Sequence, residues 1–253
     1  MKLAGIGRIL FWSGGSLWIG RSGEPGDFHS HHALQLTISF SDDSVRFCGP
    51  EGEWQAFQAA IVAANQVHAF ESRGNIVAII FIELESREGQ SLLQYCPDAG
   101  IAAIAVDRVE GDVSKLHAAW KNARPDLELI ASAQAIVAGL AANSLAASMP
   151  VDTRILRAVK HIRDHIEGPV SLAEIAGVAC LSPDRFRHLF LEETGIRFRP
   201  FILWLRIEVA LAKYAASNSL TEAAHAGGFA DSAHFTRTFR RMFGIAPSAF
   251  RFE

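Results

Sequence analysis

Two groups of side chains in this 253-residue chain have the type and spacing to do chemistry. The first is a pair of short segments in which polar residues flank phenylalanines. Asp184, Arg185, Arg187 and His188 surround Phe186 and Phe190, while Ser232, His234, Thr236, Arg237 and Arg240 surround Phe235 and Phe239. With the phenylalanines turned inward, each segment presents an outward, Arg-bearing face suited to base edges and phosphates. The second group is His29-Ser30-His31 with Gln35 four residues on. His29 and His31 are two apart, so on a strand they point to one face. Neutral imidazoles with an oxygen donor suit zinc, iron, manganese or nickel. The blander alternatives are a helical bundle with solvated charges and surface histidines in a loop.

The elements that position the first group form an internal repeat. Ser171-Leu172-Ala173-Glu174-Ile175-Ala176 recurs 48 residues later as Ser219-Leu220-Thr221-Glu222-Ala223-Ala224, and Phe186, Phe190 and Gly195-Ile196 recur 49 residues later as Phe235, Phe239 and Gly244-Ile245. Ser-x-x-Glu is a capping box that starts a helix. Each copy then reads as a short helix, a turn and a second helix closed by glycine. Ser182-Pro183 caps and opens the second helix of copy one, and Asp231 or Ser232 does so in copy two. Two capped helices joined by a tight turn are a helix-turn-helix unit, whose second helix enters the major groove of DNA. A single capping box leaves the helical bundle at even odds; two matched copies with Arg-bearing second helices favour DNA.

The histidines lie in a β-rich half. Arg8–Trp12 and Leu17–Arg21 flank Ser13-Gly14-Gly15-Ser16 as a hairpin, and Leu34–Phe40 alternates as a half-buried strand. Val45–Cys48, Trp54–Phe57, Ala60–Ala63, His68–Glu71 and Ile76–Glu83 complete seven or eight short strands, the pattern of a sandwich or small barrel. Nine aromatic residues between Trp12 and Phe81 supply it mostly with core, and some line a small-molecule cavity. After Glu85 the texture turns helical, with Val113–Asn122 and Leu127–Met149 as candidates, and Met149-Pro150 marks a boundary. The fold class is therefore α+β in two domains: residues 1–149, with a barrel over about 1–85 and helices over about 90–149, and residues 150–253, all α.

Composition agrees. Residues 1–150 carry a net charge of −6 and residues 151–253 carry +3, with 12 arginines among the 14 cations of the second stretch. The longest apolar run, Ile76 to Ile82, is far short of the roughly 20 residues a spanning helix needs. Three scattered cysteines exclude a disulfide framework, and the reading is a cytoplasmic protein without membrane partners.

Residues Ile155 to Arg251 resemble the DNA-binding domain of the AraC/XylS family of transcription regulators. The resemblance rests on Ser171–Ala176, Leu181-Ser182-Pro183, Arg187–Phe190, Leu205–Ala210 and, most specifically, the run from Gly227-Gly228-Phe229 to Ala246-Pro247-Ser248. It implies that one long helix, Phe198–Ser217, joins two units that read successive major grooves on one face of DNA. It also implies a non-enzymatic regulator that engages RNA polymerase if it activates. Three positions depart from the family pattern: Cys180 for the usual Gly in the first turn, Ala223 for a large aliphatic residue, and Val209 for a cation.

Gly23, five residues, His29-Ser30-His31, three residues and Gln35 resemble the first motif of cupin barrels, with Gln for the usual Glu. That resemblance adds His68 as a fourth position and makes His29, His31, Gln35 and His68 the candidate pocket. Ala63–Val67 lacks the usual Pro and Gly of the second motif. Regulators of this family commonly keep a remnant His-rich strand without metal, so the expectation is an organic small-molecule effector and no cofactor, with a divalent transition metal as the alternative. His32 is expected to face away from the pocket. The function expected is sequence-specific binding of double-stranded DNA under effector control. The apolar stripe of Leu127–Met149 must be buried on its own barrel or on a partner, and the expectation is a homodimer through the N-terminal half with this helix region contributing. A metal-dependent cupin enzyme with a helical appendage, or a barrel that only dimerises, are the competing readings.

Overall fold

In the computed structural model the described residues are 5–23, 25–41, 43–96, 100–142 and 151–252. The chain divides into two compact units: Met1–Ser148 together with Arg240–Glu253, and Met149–Phe239. The expected boundary at Met149-Pro150 lies outside the described residues.

The first unit holds strands β1 Gly5–Trp12, β2 Gly15–Ser22, β3 Leu34–Ser39, β4 Val45–Cys48, β5 Gln55–Phe57, β6 Ala59–Val62, β7 Ala69–Glu71, β8 Ile76–Ile82, β9 Ile101–Ala103 and β10 Phe250–Phe252. Seven of them form one sheet in the order β10-β1-β2-β8-β3-β6-β9, and β5-β4-β7 form a second. The hairpin read from Ser13-Gly14-Gly15-Ser16 is a tight turn that pairs Trp12 with Gly15; Gly14 takes φ +100° there, which a side chain would resist. Helices α1 Arg87–Leu92, α2 Glu110–Lys121 and α3 Asp126–Ala142 follow the eighth strand. The sequence reading missed α1, β9 and β10, and residues 143–149 of its last helix lie outside the described residues.

Both faces of the large sheet are covered. Leu34, Leu36, Ile38, Ile61, Ala78, Ile80 and Ile82 share a core with Leu116, Leu129, Ala133, Ile136, Val137 and Leu140 of α2 and α3. Val62 and Val77 share another with Val45 and Phe47 of the small sheet. β3 therefore alternates in type but not in burial. All six of its residues are buried, and the polar set Gln35, Thr37 and Ser39 faces the barrel interior rather than water. The stripe of α3 is likewise spent on its own unit.

The second unit holds α4 Thr153–Asp164, α5 Leu172–Val178, α6 Pro183–Thr194, α7 Phe198–Ser217, α8 Leu220–Ala226 and most of α9 Ser232–Phe243. The caps are the ones the repeat implies. Ser171 and Ser219 accept the amides of Glu174 and Glu222 at 3.2 and 3.3 Å, and Ser182 accepts that of Arg185 at 3.3 Å. In copy two the cap is Asp231, whose Oδ1 accepts the His234 amide at 2.6 Å. At about 1.5 Å per residue, the 20-residue α7 is a rod of about 30 Å, close to one turn of B-DNA.

The turns of the two copies match atom for atom. Cys180 and Gly228 both lie at positive φ, +55° and +66°. Their amides donate to the carbonyls three residues back, and the next amides, of Leu181 and Phe229, donate to Ala176 and Ala224. This is the left-handed helix stop that glycine favours. Cys180 carries a Cβ where its counterpart has none, at a cost of order 1 kcal/mol. Cys180→Gly is expected to raise stability by a net ~0.5–1 kcal/mol, after the extra chain entropy of glycine is subtracted. Denaturant titration reads the gain, and an unchanged or lower midpoint would contradict the strain.

Candidate nucleic-acid interface and barrel pocket

On α6 and the start of α9 the phenylalanines and the polar residues separate as the repeat requires. Phe186, Phe190, Phe235 and Phe239 are fully buried. Asp184, Arg185, Arg187, His188, Arg237 and Arg240 are exposed, and Ser232, His234 and Thr236 are half-buried. Arg187 is paired with Asp184 on its own helix. Arg240 is held within the first unit, where its Nε and Nη2 donate to Asp27 Oδ2 at 2.8 and 2.6 Å. Arg206 reaches the carbonyls of Gly168 and Gly228, each at 3.4 Å, which makes it a packing residue of the helical unit.

Residues outside the two recognition helices join this surface. A groove of about 1260 Å³ in the helical unit is lined by Arg187, His188, Arg197, Arg199, Arg206 and His234, with no carboxylate among its described lining residues. Arg197 and Arg199 are exposed and sit at the cap and second residue of α7, which has no side-chain cap and no acidic residue in its first turn. Cations at the positive end of a helix dipole work against the helix unless an anion meets them. Sequence reading passed over both because they fall outside the recognition motifs. The signal was an Arg-x-Arg at a helix start, where carboxylates are the rule.

The four barrel candidates do come together. His29 and His68 form an antiparallel bridge, exchanging both amide-to-carbonyl bonds at 2.9 Å, so their side chains lie on one side. Their rings are 4.3 Å apart, and that of His31 is 5.2 Å from His68. Each Nδ1 lies against a backbone carbonyl: His29 on Asp27 at 2.8 Å, His31 on Ala33 at 2.9 Å and His68 on Gln66 at 2.9 Å. A carbonyl only accepts, so each Nδ1 carries the proton and each Nε2 the lone pair. Burial depresses all three pKa values, that of His68 to about 3, so the rings are neutral. Gln35 Oε1 lies 2.8 Å from His31 Nε2, and its Nε2 donates to Thr37 Oγ1 at 3.0 Å. His32 points elsewhere, to Glu85 at 3.3 Å.

Beside this cluster is a cavity of about 90 Å³, lined by His29 and Gln35 at one end and otherwise mainly by Trp18, Phe70, Ile79, Phe81, Phe243 and Phe250. Trp18 packs at 4.6 Å on Phe243 with the rings tilted by 32°, and it meets Phe81 edge-on at 5.4 Å. The walls are apolar, with Arg21 and the His–Gln end as the polar contribution.

Comparison with known proteins fits both units. Residues 172–252 match the family model described as a helix-turn-helix domain. The arabinose operon regulatory protein of Escherichia coli (strain K12) is 34% identical over 107 residues, which is 40% of this chain and 36% of that protein. The RhaS transcriptional activator of Escherichia fergusonii is 32% identical over 102 residues, again 40% of this chain and 36% of its own length. The chain thus matches little more than a third of the length of these relatives. The likeness of fold extends further: apo ToxT from Vibrio cholerae superposes with a TM-score of 0.60 at 14% identity, covering 95% of this chain and 97% of that one. Residues 172–252 are thus similar to the helix-turn-helix domains of the arabinose operon regulatory protein and RhaS, and the chain as a whole shares the fold of ToxT.

Proposed function

We propose that the chain binds double-stranded DNA sequence-specifically through α6 and α9, and that a small molecule in the barrel cavity sets the affinity. The observation that carries this is the pair of Arg-bearing faces on two equivalent helices, with a carboxylate-free cationic groove lined by residues of both. Arg185, Arg187 and His188 read bases in one major groove, and His234, Thr236 and Arg237 read bases in the next. Asp184 orients Arg187, and Ser232 lies at the start of the second helix, within reach of the backbone. Arg197 and Arg199 hold phosphate at the start of α7.

The aromatic walls of the cavity suit an apolar effector, and a ToxT structure that superposes at TM-score 0.55 is of the unsaturated-fatty-acid-bound protein. The reading is of a non-enzymatic, cytoplasmic regulator acting as a homodimer, and in contact with RNA polymerase where it activates. No helix of the described residues is long and apolar enough to cross a membrane. Leu129, Ala133, Ile136, Val137 and Leu140 of the α3 stripe are buried within their own unit, so the dimer contact we propose uses other surfaces of that unit.

The cationic groove gives the test. Replacing both Arg197 and Arg199 with alanine is expected to weaken binding to all sequences alike and to lower the slope of log K against log salt by about two. Titrations of one specific and one random duplex at two or more salt concentrations read this. A loss confined to the specific duplex, or no change in slope, would contradict phosphate contact. Repeating the titration with fatty acids and aromatic acids tests the effector.

A further inference from the structure

The two recognition helices carry different chemistry at equivalent places. The repeat that matches Phe186 with Phe235 and Phe190 with Phe239 also sets Ala233 at the place of Asp184 and Thr236 at that of Arg187. Residues three apart on a helix share a face. In α6 that face is an ion pair, Arg187 Nη2 donating to Asp184 Oδ1, with both side chains exposed. In α9 it is two methyl-bearing side chains, exposed Ala233 and half-buried Thr236. Both pairs lie in the N-terminal half of their helix, the part that meets base edges.

A carboxylate is out of place on a surface that holds only phosphate. The groove lined by Arg187, His188 and Arg197 has no carboxylate among its described lining residues, and the other acids of α6, Glu192 and Glu193, stand in its last turn. A carboxylate facing DNA repels the phosphates and the acceptor atoms of guanine and thymine. The base-edge group that it meets favourably in the major groove is an amine, on cytosine N4 or adenine N6. Arg187, whose guanidinium Asp184 holds, fits the N7 and O6 acceptors of guanine. A G·C pair presents those two acceptors and the cytosine amine side by side, whereas A·T alternates acceptor, donor and acceptor. A donor fork with an acceptor beside it therefore complements G·C as a whole and meets A·T with a repulsive contact.

We infer that Asp184 is a specificity-determining residue: with Arg187 it makes the pair under the start of α6 a G·C, while Ala233 and Thr236 make the corresponding pair under α9 a T·A, recognised by the thymine methyl. The inference rests on the reading that α6 and α9 enter major grooves, and it adds that the two blocks of the site differ in composition. Asp184 also meets the positive end of its helix, as a first-turn acid does, so base preference rather than stability is the property to read.

Full-length wild type, Asp184→Ala, Asp184→Asn and the double variant Asp184→Ala with Arg187→Thr each select duplexes from a random pool. Affinities for the wild-type site, its single-base-pair changes and a random duplex are then measured. The wild type is expected to select one block with a fixed G·C pair and one with T·A at the matching position. Asp184→Ala is expected to cut the preference for that G·C pair about tenfold, yet to bind the random duplex more tightly, because a negative charge has gone. Loss of a purely helix-supporting acid would lower both affinities together and overturns the inference. Asp184→Asn keeps the size of the side chain, and asparagine pairs with adenine, so its preference is expected to move to a pair containing adenine. The double variant carries the residues of copy two and is expected to select T·A in that block. Should Asp184→Ala fail to fold, Asp184→Asn decides, because unchanged preference overturns the inference. A wild-type site whose two blocks are alike does the same. Failure of the wild type to enrich any sequence is a distinct result, which removes the two-groove reading and this inference with it.

Discussion

Arg187→Ala and Arg237→Ala are each expected to lower affinity for the specific site by about 5- to 150-fold, and to relax sequence preference at different base pairs. The range corresponds to about 1–3 kcal/mol for a guanidinium bonded to guanine O6 and N7. Both arginines are exposed on the second helix of their unit, one beside buried Phe186 and the other two residues beyond buried Phe235. In the repeat Arg187 matches Thr236 and Arg237 matches His188, so the two arginines stand at neighbouring positions on the outward faces of equivalent helices, one for each groove. The α7 rod sets the two affected positions roughly one helical turn, about 10 bp, apart. Arg240, already bonded to Asp27, is expected to affect base preference little when replaced. Binding of each variant to a library of single-base-pair changes in the site reads the outcome. Loss of preference at the same base pairs in both variants would contradict two separate grooves.

Phe235→Ala is expected to cost about 3–5 kcal/mol, the range for truncating a buried aromatic side chain. Its ring is fully buried and packs at 5.4 Å on Phe229 and 6.0 Å on Phe239. A unit of this size has a total stability of roughly 5–15 kcal/mol, so the loss is a large fraction of it. Phe186→Ala in the other copy is expected to cost a similar amount, because Phe186 is equally buried and packs at 5.3 Å on Phe190 and 5.8 Å on Phe198. Denaturant unfolding followed by far-ultraviolet circular dichroism measures both. A cost below about 1 kcal/mol for either would mean that the phenylalanine face is not the packed face of its helix.

The helical unit was legible because its signals are local. A serine and a glutamate three residues on, a proline after a serine, and a glycine at the end of each second helix operate within one turn, and two copies of each made the register plain. Cys180 stood out against the family pattern, and the structure adds that Gly228 stands at its place in the other copy. The barrel was legible in its long strands and less so at its edges. β9 and β10 have three residues each, and β10 exists only because Phe250 pairs with Gly5 across almost the whole chain. No local pattern encodes that contact. β3 reads as half-buried because it alternates, yet it is buried on both faces, since its polar residues line an interior. His29, His31 and Gln35 were found by spacing and His68 by the resemblance to cupins, but neither shows that each histidine Nδ1 is tied to a backbone carbonyl.

The most direct test of the account is selection of DNA by the full-length protein from a random duplex pool, with and without small-molecule acids. The account predicts a bipartite site with two conserved blocks about 10 bp apart, centre to centre, and enrichment that falls steeply with salt. Enrichment of a single block, or no enrichment at low salt under any condition, would contradict it.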